Sequence, residues 1–244
     1  MVGGGRIAVA GAPAWLPALQ ARVRVTALPT GPGFVPRLTD LGPALLLADA
    51  ADEAGRRWIS AARANNATRR IPTLAVADEG QHAAALLAGA DAALKAEELL
   101  AAPEAILRQY ARPPDPKRQA RLGCECGAAL PPAAREGVRL FNAGEYYAQH
   151  DVFEALWVET EGPVRELYRA VLQVGVALYQ AQRGNRRGAL KMLLRSAQWL
   201  RDLPDVCQGL DVTQLRADVR RLRAELSLED GEVTAFRLRE VGDG

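Results

Sequence analysis

The chain has 244 residues, of which 49% are hydrophobic and 25% charged, so it suits two folded domains and is not a disordered tail. Its 31 basic and 29 acidic residues leave a formal net charge of +2, which argues against a general nucleic-acid clamp. No apolar run approaches the roughly 20 residues of a membrane span, and the first residues lack the pattern of a signal peptide. We therefore expect a cytoplasmic protein that has neither a nucleic-acid partner nor a membrane partner.

The composition divides the chain into four segments. Aromatic residues are sparse up to about residue 110 and concentrated from Phe141 onward. Prolines and charges between these parts interrupt any regular helix or strand. We predict a first domain, a linker, a helical domain and a tail, over residues 1–110, 111–132, 133–228 and 229–244.

The first segment alternates strand-like and helix-like pieces. We predict strands over residues 6–12, 23–29, 43–50 and 71–78, and a last short strand after the Gly-Ala-Asp turn at 89–91. Helical patterns lie between them, at 13–23, 54–66 and from Gly80. Strands that alternate with helices of this length predict a parallel sheet covered on both faces.

This order of elements resembles a response-regulator receiver domain, which is a five-stranded doubly wound fold. The local matches are PALLLAD at 43–49, IPTLAVA at 71–77 and AGAD at 88–91. The resemblance places Asp49 at the position of the phosphorylated aspartate. It also implies a Mg²⁺ ion held by two adjacent acids after the first strand.

The residues around that position depart from the receiver pattern. Ala10-Gly11-Ala12 stands where the acids are expected, and such a turn offers no carboxylate to Mg²⁺. Ala77 replaces the hydroxyl residue after the fourth strand, and Lys95 is out of register and lacks the proline that follows it in receivers. We therefore predict an unphosphorylated pseudo-receiver used for docking or dimerisation. The alternative is that Asp49 accepts phosphate without the usual metal.

The second half of the chain has helical patterns throughout. Four helices are predicted over residues 133–143, 145–160, 163–182 and 186–202, and a fifth begins at Asp211. Asn185 can cap the fourth helix, and Asp211 and Gln214 have capping-box spacing in the fifth. The fifth helix carries a three-four apolar repeat that needs a partner helix, made of Val212, Leu215, Val219, Leu222 and Leu226. These features predict an antiparallel helical bundle.

The stretch from Phe141 to Trp157 carries the most chemistry. At about 100° per residue, His150, Glu154 and Trp157 share one helix face with bulky aromatic residues. If that face is buried, the His–Glu pair points into the bundle, where an ionised glutamate costs several kcal/mol unless it is paired. Either His150 pairs with Glu154, or both bind one divalent transition metal ion.

Other polar residues bear on this site. The third predicted helix is mostly apolar, yet Gln173 lies in a polar stripe and needs a partner, so we expect it to face the His–Glu pair. Additional metal ligands would come from Glu145, Glu161 or Glu166. Because the chain has only two histidines, a three-histidine zinc site in the bundle is excluded, and the oxygen-rich set suits Mn²⁺ or Fe²⁺ at least as well as Zn²⁺.

The motif HxxxExxW formed by His150, Glu154 and Trp157 resembles the hallmark of a family called domain of unknown function 309. FNAGEYY before the motif and GNRRGALKMLL at 184–194 also fit the pattern, and the resemblance covers about residues 133–205. It implies a site that has been suggested to bind metal, but it names no reaction and no small ligand.

Two functions stay open from the sequence. The first is a non-catalytic signalling or scaffold protein that docks a protein partner or self-associates. The second is a metal-binding protein or metal-dependent enzyme, a hydrolase for example, centred on His150 and Glu154. Its supporting residues would be Trp157, Gln173, Asn185 and Glu145.

Two lesser signals have plainer interpretations. The three cysteines do not form a disulfide framework, and Cys124 and Cys126 are predicted to be exposed thiols of a flexible linker. The arginine-rich fifth helix is predicted to present a solvated face rather than a phosphate site.

Overall fold

The computed structural model describes residues 5–228 and 231–241, and the chain divides between Pro114 and Asp115 into two compact units. The predicted tail at 229–244 therefore lies partly outside the described residues. Within residues 5–228 and 231–241, no helix meets the length and hydropathy that a bilayer span requires.

The first unit contains the predicted parallel sheet. Its strands are β1 (Ile7–Ala10), β2 (Thr26–Leu28), β3 (Leu45–Asp49), β4 (Thr73–Val76) and β5 (Ala92–Leu94). They are arranged in the order β2-β1-β3-β4-β5, and every pairing is parallel. This is the strand order of flavodoxin-like doubly wound folds, to which receiver domains belong, so the predicted fold class is confirmed.

Alternate residues of each strand build two cores, one on each face of the sheet. On β1, Ala8 packs with the helices of one face, whereas Ile7 and Val9 pack with those of the other. Both faces are covered, which explains why residues 43–48 of the predicted strand form a continuous apolar run. The helices are α1 (Leu16–Gln20), α2 (Phe34–Leu41), α3 (Glu53–Ala64), α4 (Glu79–Leu87), α5 (Ala96–Ala101) and α6 (Pro103–Tyr110).

The structure differs from the sequence prediction at two helices. The helix predicted at 13–23 is only the short α1, and α2 is an additional helix. Pro36 is compatible with α2 because it lies in the first turn, where backbone N–H groups have no partner within the helix and proline is tolerated.

The second unit is the predicted antiparallel bundle with additions. Its helices are α7 (Pro116–Cys126), α8 (Pro132–Asn142), α9 (Tyr146–Glu159), α10 (Arg165–Gln182), α11 (Arg186–Leu200) and α12 (Val212–Ser227). The side chain of Asn185 caps α11 by accepting from Gly188 N at 2.9 Å, and that of Asp211 caps α12 by accepting from Gln214 N at 2.8 Å. All five residues of the predicted apolar repeat of α12 are buried.

The predicted linker at 111–132 is mostly folded, so this prediction is wrong. Asp115 caps α7 by accepting from Lys117 N at 3.0 Å, and Pro116 occupies the first helical position, where it favours helix formation. One side of α7 packs into the core of the second unit through Leu122 and Cys126. Prolines here start a helix instead of preventing one.

The prediction of exposed, unpaired thiols is wrong for Cys126. This residue forms a disulfide with Cys207, and both cysteines are buried. Cys124 is exposed and free. Residues two apart on a helix point in nearly opposite directions, so a CxC pair on α7 places one thiol in the core and the other in solvent.

The second unit also contains a small antiparallel hairpin that the sequence does not predict, of β6 (Val206–Cys207) and β7 (Leu210–Asp211). The segment 231–241 runs beside it, where Asp211 N donates to Arg239 O at 2.9 Å. Asn142 of α8 holds the same segment through both its amide atoms, donating to Leu238 O at 3.0 Å and accepting from Leu238 N at 2.7 Å. The described part of the predicted tail is thus packed onto the bundle.

Candidate functional site

The carboxyl edge of the parallel sheet is the position where doubly wound folds bind ligands. β1 ends here at Ala10, β3 at Asp49 and β4 one residue before Ala77, and β1 and β4 both pair with β3. The Asp49 carboxylate accepts a hydrogen bond from its own loop, through Ala51 N at 3.0 Å. Ala10 and Ala77, at the ends of the two neighbouring strands, carry no polar side chain.

Lys95 follows β5 directly, and its ammonium pairs with an acid of α4. It lies 3.4 Å from Glu79 on α4, and the backbone N–H of Lys95 donates to Glu98 at 3.0 Å. Asp52, the next acid after Asp49, caps α3 by accepting from Gly55 N at 2.7 Å. Among the last residues of β1, β3 and β4, Asp49 is the one acid, and the acids that follow β4 are Asp78 and Glu79 at the start of α4.

The predicted inward orientation of His150 and Glu154 is wrong. Glu154 is exposed, and the His150 side chain retains 31% exposure. The ring of His150 contacts its chain neighbour Asp151, with Nδ1 3.2 Å from Oδ1. Among the described residues, no group of three or more His, Cys, Asp or Glu could hold a metal ion. The metal assignment therefore stays a prediction without a third ligand.

The buried side of α9 is rotated from the motif by most of a quarter turn. It carries Tyr146, Gln149 and Phe153, and Gln149 is fully buried. At about 100° per residue these three lie roughly 40–100° from His150, on the side away from Glu154. The sequence prediction is wrong because it defines the buried face by aromatic residues alone, which places the centre of that face too close to His150.

Gln149 is a buried polar residue that the sequence prediction misses. Its amide lies against α10 at Gly175, where a Cβ atom would meet Gln149 Oε1 at 1.7 Å. Neither amide atom has a hydrogen-bond partner within the described residues. The sequence could have predicted this burial, because Gln149 lies three residues after Tyr146 and four before Phe153, on the helix face that both occupy.

Trp157 does belong to a cluster, and its partners are arginines. The guanidinium carbon of Arg169 on α10 lies 4.8 Å from the ring centre of Trp157 and 4.0 Å from that of Trp199 on α11. Arg165, one turn earlier, lies 5.5 Å from the Trp157 ring. These stacks join the carboxyl ends of α9 and α11 to the amino end of α10.

The remaining predicted residues have separate positions. Gln173 is 9% exposed and its Oε1 is buried without a hydrogen-bond partner in the described residues, but nothing places it against His150 or Glu154. Burial raises the pKa of Glu166, and Arg169, Arg118 and Arg165 oppose that shift. Glu145 is exposed at the start of α9, and Asn185 serves as a helix cap.

Part of the second unit matches a known protein family. Residues 134–192 match the family model named Domain of unknown function (DUF309). No curated protein matches the chain.

Two solved structures align with the N-terminal part of the chain. The Mn²⁺-bound form of response regulator Rcp1 is 14% identical, and the alignment covers 45% of this chain and 99% of that one with a TM-score of 0.34. Response regulator RPA3017 in red light signalling of R. palustris is also 14% identical, with 45% and 96% coverage and a TM-score of 0.34. The receiver-like fold of this chain is identified by its strand order.

Proposed function

We propose that this chain, which carries a DUF309 domain behind a receiver-like unit, is an adaptor protein whose first unit docks a protein partner without being phosphorylated. The observation that carries the proposal is that β1 ends in Ala10-Gly11-Ala12, without an acid, beside Asp49 at the end of β3. We retain the cytoplasm as the predicted location.

The chemistry of phosphoryl transfer supports this interpretation. Transfer to an aspartate brings a phosphoryl dianion against a carboxylate, and a divalent metal neutralises the charge that accumulates. Mg²⁺ is held by carboxylates and water, and here the turn after β1 supplies no acid that could share an ion with Asp49. The side chains of the alanines at 10, 12 and 77 supply neither a metal ligand nor a hydroxyl.

The outer face of α4 supports docking. Residues 80–90 contain no Asp, Glu, Lys or Arg, and the exposed face carries Gly80, Ala83, Leu86 and Leu87. Leu87 is 89% exposed and Leu86 is 48% exposed, so these leucines are not part of the core. A surface helix normally turns polar residues to water, and an exposed apolar face marks an interaction site.

The shape of this face fits an apolar helix of another protein. Gly80 and Ala83 are small and lie one turn apart, so a second helix backbone can approach closely. Two of the acids near the ends of α4 are already paired within the unit, Glu79 with Lys95 and Asp91 with Arg63, and Asp78 lies at the amino end of the helix and not on this face. Docking on this face would therefore depend on apolar contact and only weakly on salt.

The phosphorylation experiment uses the full chain with acetyl phosphate and Mg²⁺, followed by intact-mass measurement. We expect no phosphoryl adduct, under conditions in which a phosphorylatable receiver is fully labelled. An adduct that is lost in Asp49→Asn would overturn the proposal.

The docking experiment places a photo-crosslinking residue at position 87 of the full chain in the organism that makes it. We expect one discrete adduct that Ala83→Arg abolishes and Asp49→Asn leaves intact. A crosslinker at the exposed Leu228 of the second unit is the matched control and should not give that adduct. Failure to crosslink at position 87, or an adduct that depends on Asp49, contradicts the proposal.

A further inference from the structure

The helices of the second unit carry opposite charges in separate places. From Glu145 to Glu161, around α9, there are five acidic residues and no Lys or Arg. From Leu167 to Arg201, over most of α10 and all of α11, there are seven Lys and Arg residues and no Asp or Glu. Since the whole chain has a net charge of only +2, this separation is a local feature of one bundle.

The exposed acids of α9 form a stripe with two apolar side chains. Tyr147, Asp151, Glu154 and Val158 recur every three or four residues and all are exposed, which puts them on one side of the helix. Tyr147 also contacts Tyr179 of α10, with ring centres 6.5 Å apart, so this side of α9 adjoins the outer side of α10. We call this set the acidic stripe.

A second stripe on α11 is basic. Arg187, Lys191 and Arg195 are spaced four residues apart, and the first two are exposed while Arg195 is half-buried. The other cations of the segment have partners, for example Arg201 with Asp202 and Arg186 with backbone carbonyls after α12. The side chains of these three residues, the basic stripe, make no hydrogen bond or ion pair with any residue in the ranges 5–228 and 231–241.

The two stripes are in register along the bundle. α9 and α11 both pack against α10 and run in the same direction, because short connections join each to it. Trp157 and Trp199 stack on the same arginine, which places them at one height. Glu154 lies three residues before Trp157, so it has the same height as residue 196, three before Trp199. Asp151 lies six residues before Trp157 and has the same height as residue 193. At about 1.5 Å per residue, they lie within roughly 3 Å of the heights of Arg195 and Lys191.

We propose that the face formed by α9, α10 and α11 is an interface with a second copy of this chain, in which the acidic stripe of each copy docks on the basic stripe of the other. A two-fold axis parallel to the helices would place α9 of one copy opposite α11 of its partner at unchanged height. Glu154 would then meet Arg195, and Asp151 would meet Lys191, twice in each dimer. The exposed Tyr147 and Val158 would supply apolar contact between the charges.

The size of this face determines the expected strength of the dimer. The face is about 20 Å long and about 20 Å wide between the outer helix axes, from the helical rise and the usual interhelical distance. Its footprint of roughly 400–500 Å² per copy is below the roughly 800 Å² of a standard interface. We therefore expect a dimer with a dissociation constant in the micromolar range, weakened by salt because its charges are exposed.

Charge reversal of the full chain, followed by sedimentation velocity, tests the proposal. One variant reverses the acidic stripe (Asp151→Lys with Glu154→Lys), and the other reverses the basic stripe (Lys191→Glu with Arg195→Glu). At low salt we expect wild type to dimerise and each variant alone to remain monomeric. An equimolar mixture of the two variants should form a heterodimer, because both of its contacts are again between opposite charges.

A matched control tests whether the position of the charges, and not the net charge of the chain, governs dimerisation. Lys117→Glu with Arg220→Glu changes the net charge as much as the basic-stripe variant does, at two exposed residues of the same unit, and should still dimerise. Circular dichroism should show that every variant is folded. The proposal is overturned if wild type stays monomeric at about 100 µM in low salt, if either reversal variant still dimerises, or if the mixture stays monomeric. Binding of an oligonucleotide by a monomeric wild type would instead assign the basic stripe to nucleic acid.

Discussion

The contact between Gly175 and Gln149 predicts the effect of adding a single methyl group. In Gly175→Ala, the new Cβ would lie 1.7 Å from Gln149 Oε1, which is about half of an ordinary contact distance. Gln149 is fully buried and cannot move toward solvent. Overpacking of a core usually costs about 1–3 kcal/mol, and the size of this overlap favours the upper half of that range.

The higher helix propensity of alanine stabilises the Gly175→Ala variant and so opposes the cost of overpacking. A control substitution is needed to separate the two effects. Replacing glycine by alanine in a helix interior gains up to about 1 kcal/mol. Gly123 on α7 provides the matched control, because it lies inside a helix of the same unit and a Cβ there meets nothing within 4 Å. Since the propensity term is common to both substitutions, Gly175→Ala should be less stable than Gly123→Ala by about 2–3 kcal/mol.

Urea unfolding followed by tryptophan fluorescence measures this difference for the second unit, in a background in which Trp15 and Trp58 of the first unit are replaced by phenylalanine. Shortening the buried side chain in Gln149→Ala should remove most of the penalty of Gly175→Ala, so a double-mutant cycle should show a coupling energy of more than about 1 kcal/mol. Equal stabilities for the two glycine variants would refute the close packing of α9 on α10. Additive effects in the cycle would show that Gln149 does not occupy this position.

Two further predictions concern the stability of the second unit. Reducing the disulfide between Cys126 and Cys207, which are 81 residues apart, should lower the free energy of unfolding of this unit by about 2–5 kcal/mol, measured in urea with and without a reductant. The first unit has no cysteine and is the internal control. An unchanged unfolding midpoint for the second unit would contradict the pairing. Burial raises the pKa of Glu166, so this side chain ionises less readily in the folded state than in the unfolded state. The contribution of Glu166 to the free energy of unfolding is therefore present in acid and is lost as pH rises above the ordinary glutamate range. Glu166→Gln should therefore gain stability relative to wild type as pH rises from about 4 to 7, whereas a constant difference over that range would mean that Glu166 is not buried in this way.

Most of the fold could be predicted because strands covered on both faces and amphipathic helices leave strong local patterns. The predicted strand at 43–50 contains β3, and the three-four repeat of α12 is buried at every position. The wrong prediction of a linker also has a local cause. The prolines of segment 111–132 suggest a break in helical structure, although a proline in the first turn of a helix, such as Pro116, costs no hydrogen bond.

The disulfide and the hairpin could not be predicted because they depend on tertiary proximity. Cys126 and Cys207 are 81 residues apart, and nothing near either residue indicates its partner. The turn between β6 and β7 places Gln208 at φ 52°, a conformation that glutamine rarely adopts. In the structure, Tyr168 donates to the side chain of this residue at 2.8 Å, and its backbone N–H donates to Cys126 O at 2.6 Å. Long-range contacts therefore hold a turn that its own sequence does not specify.

The functional interpretation of the second unit depends on the rotation of one helix. With the aromatic residues as the guide, His150 and Glu154 point into the bundle and suggest a metal. In the structure Gln149 takes the buried position, so Glu154 lies on the outer side of α9 beside Asp151. An exposed glutamate on a helix without Lys or Arg is free to meet a cation on another molecule, and Arg195 stands at the matching height on α11. The same residue that would have been a metal ligand in the core is thus better explained as half of an ion pair between two copies.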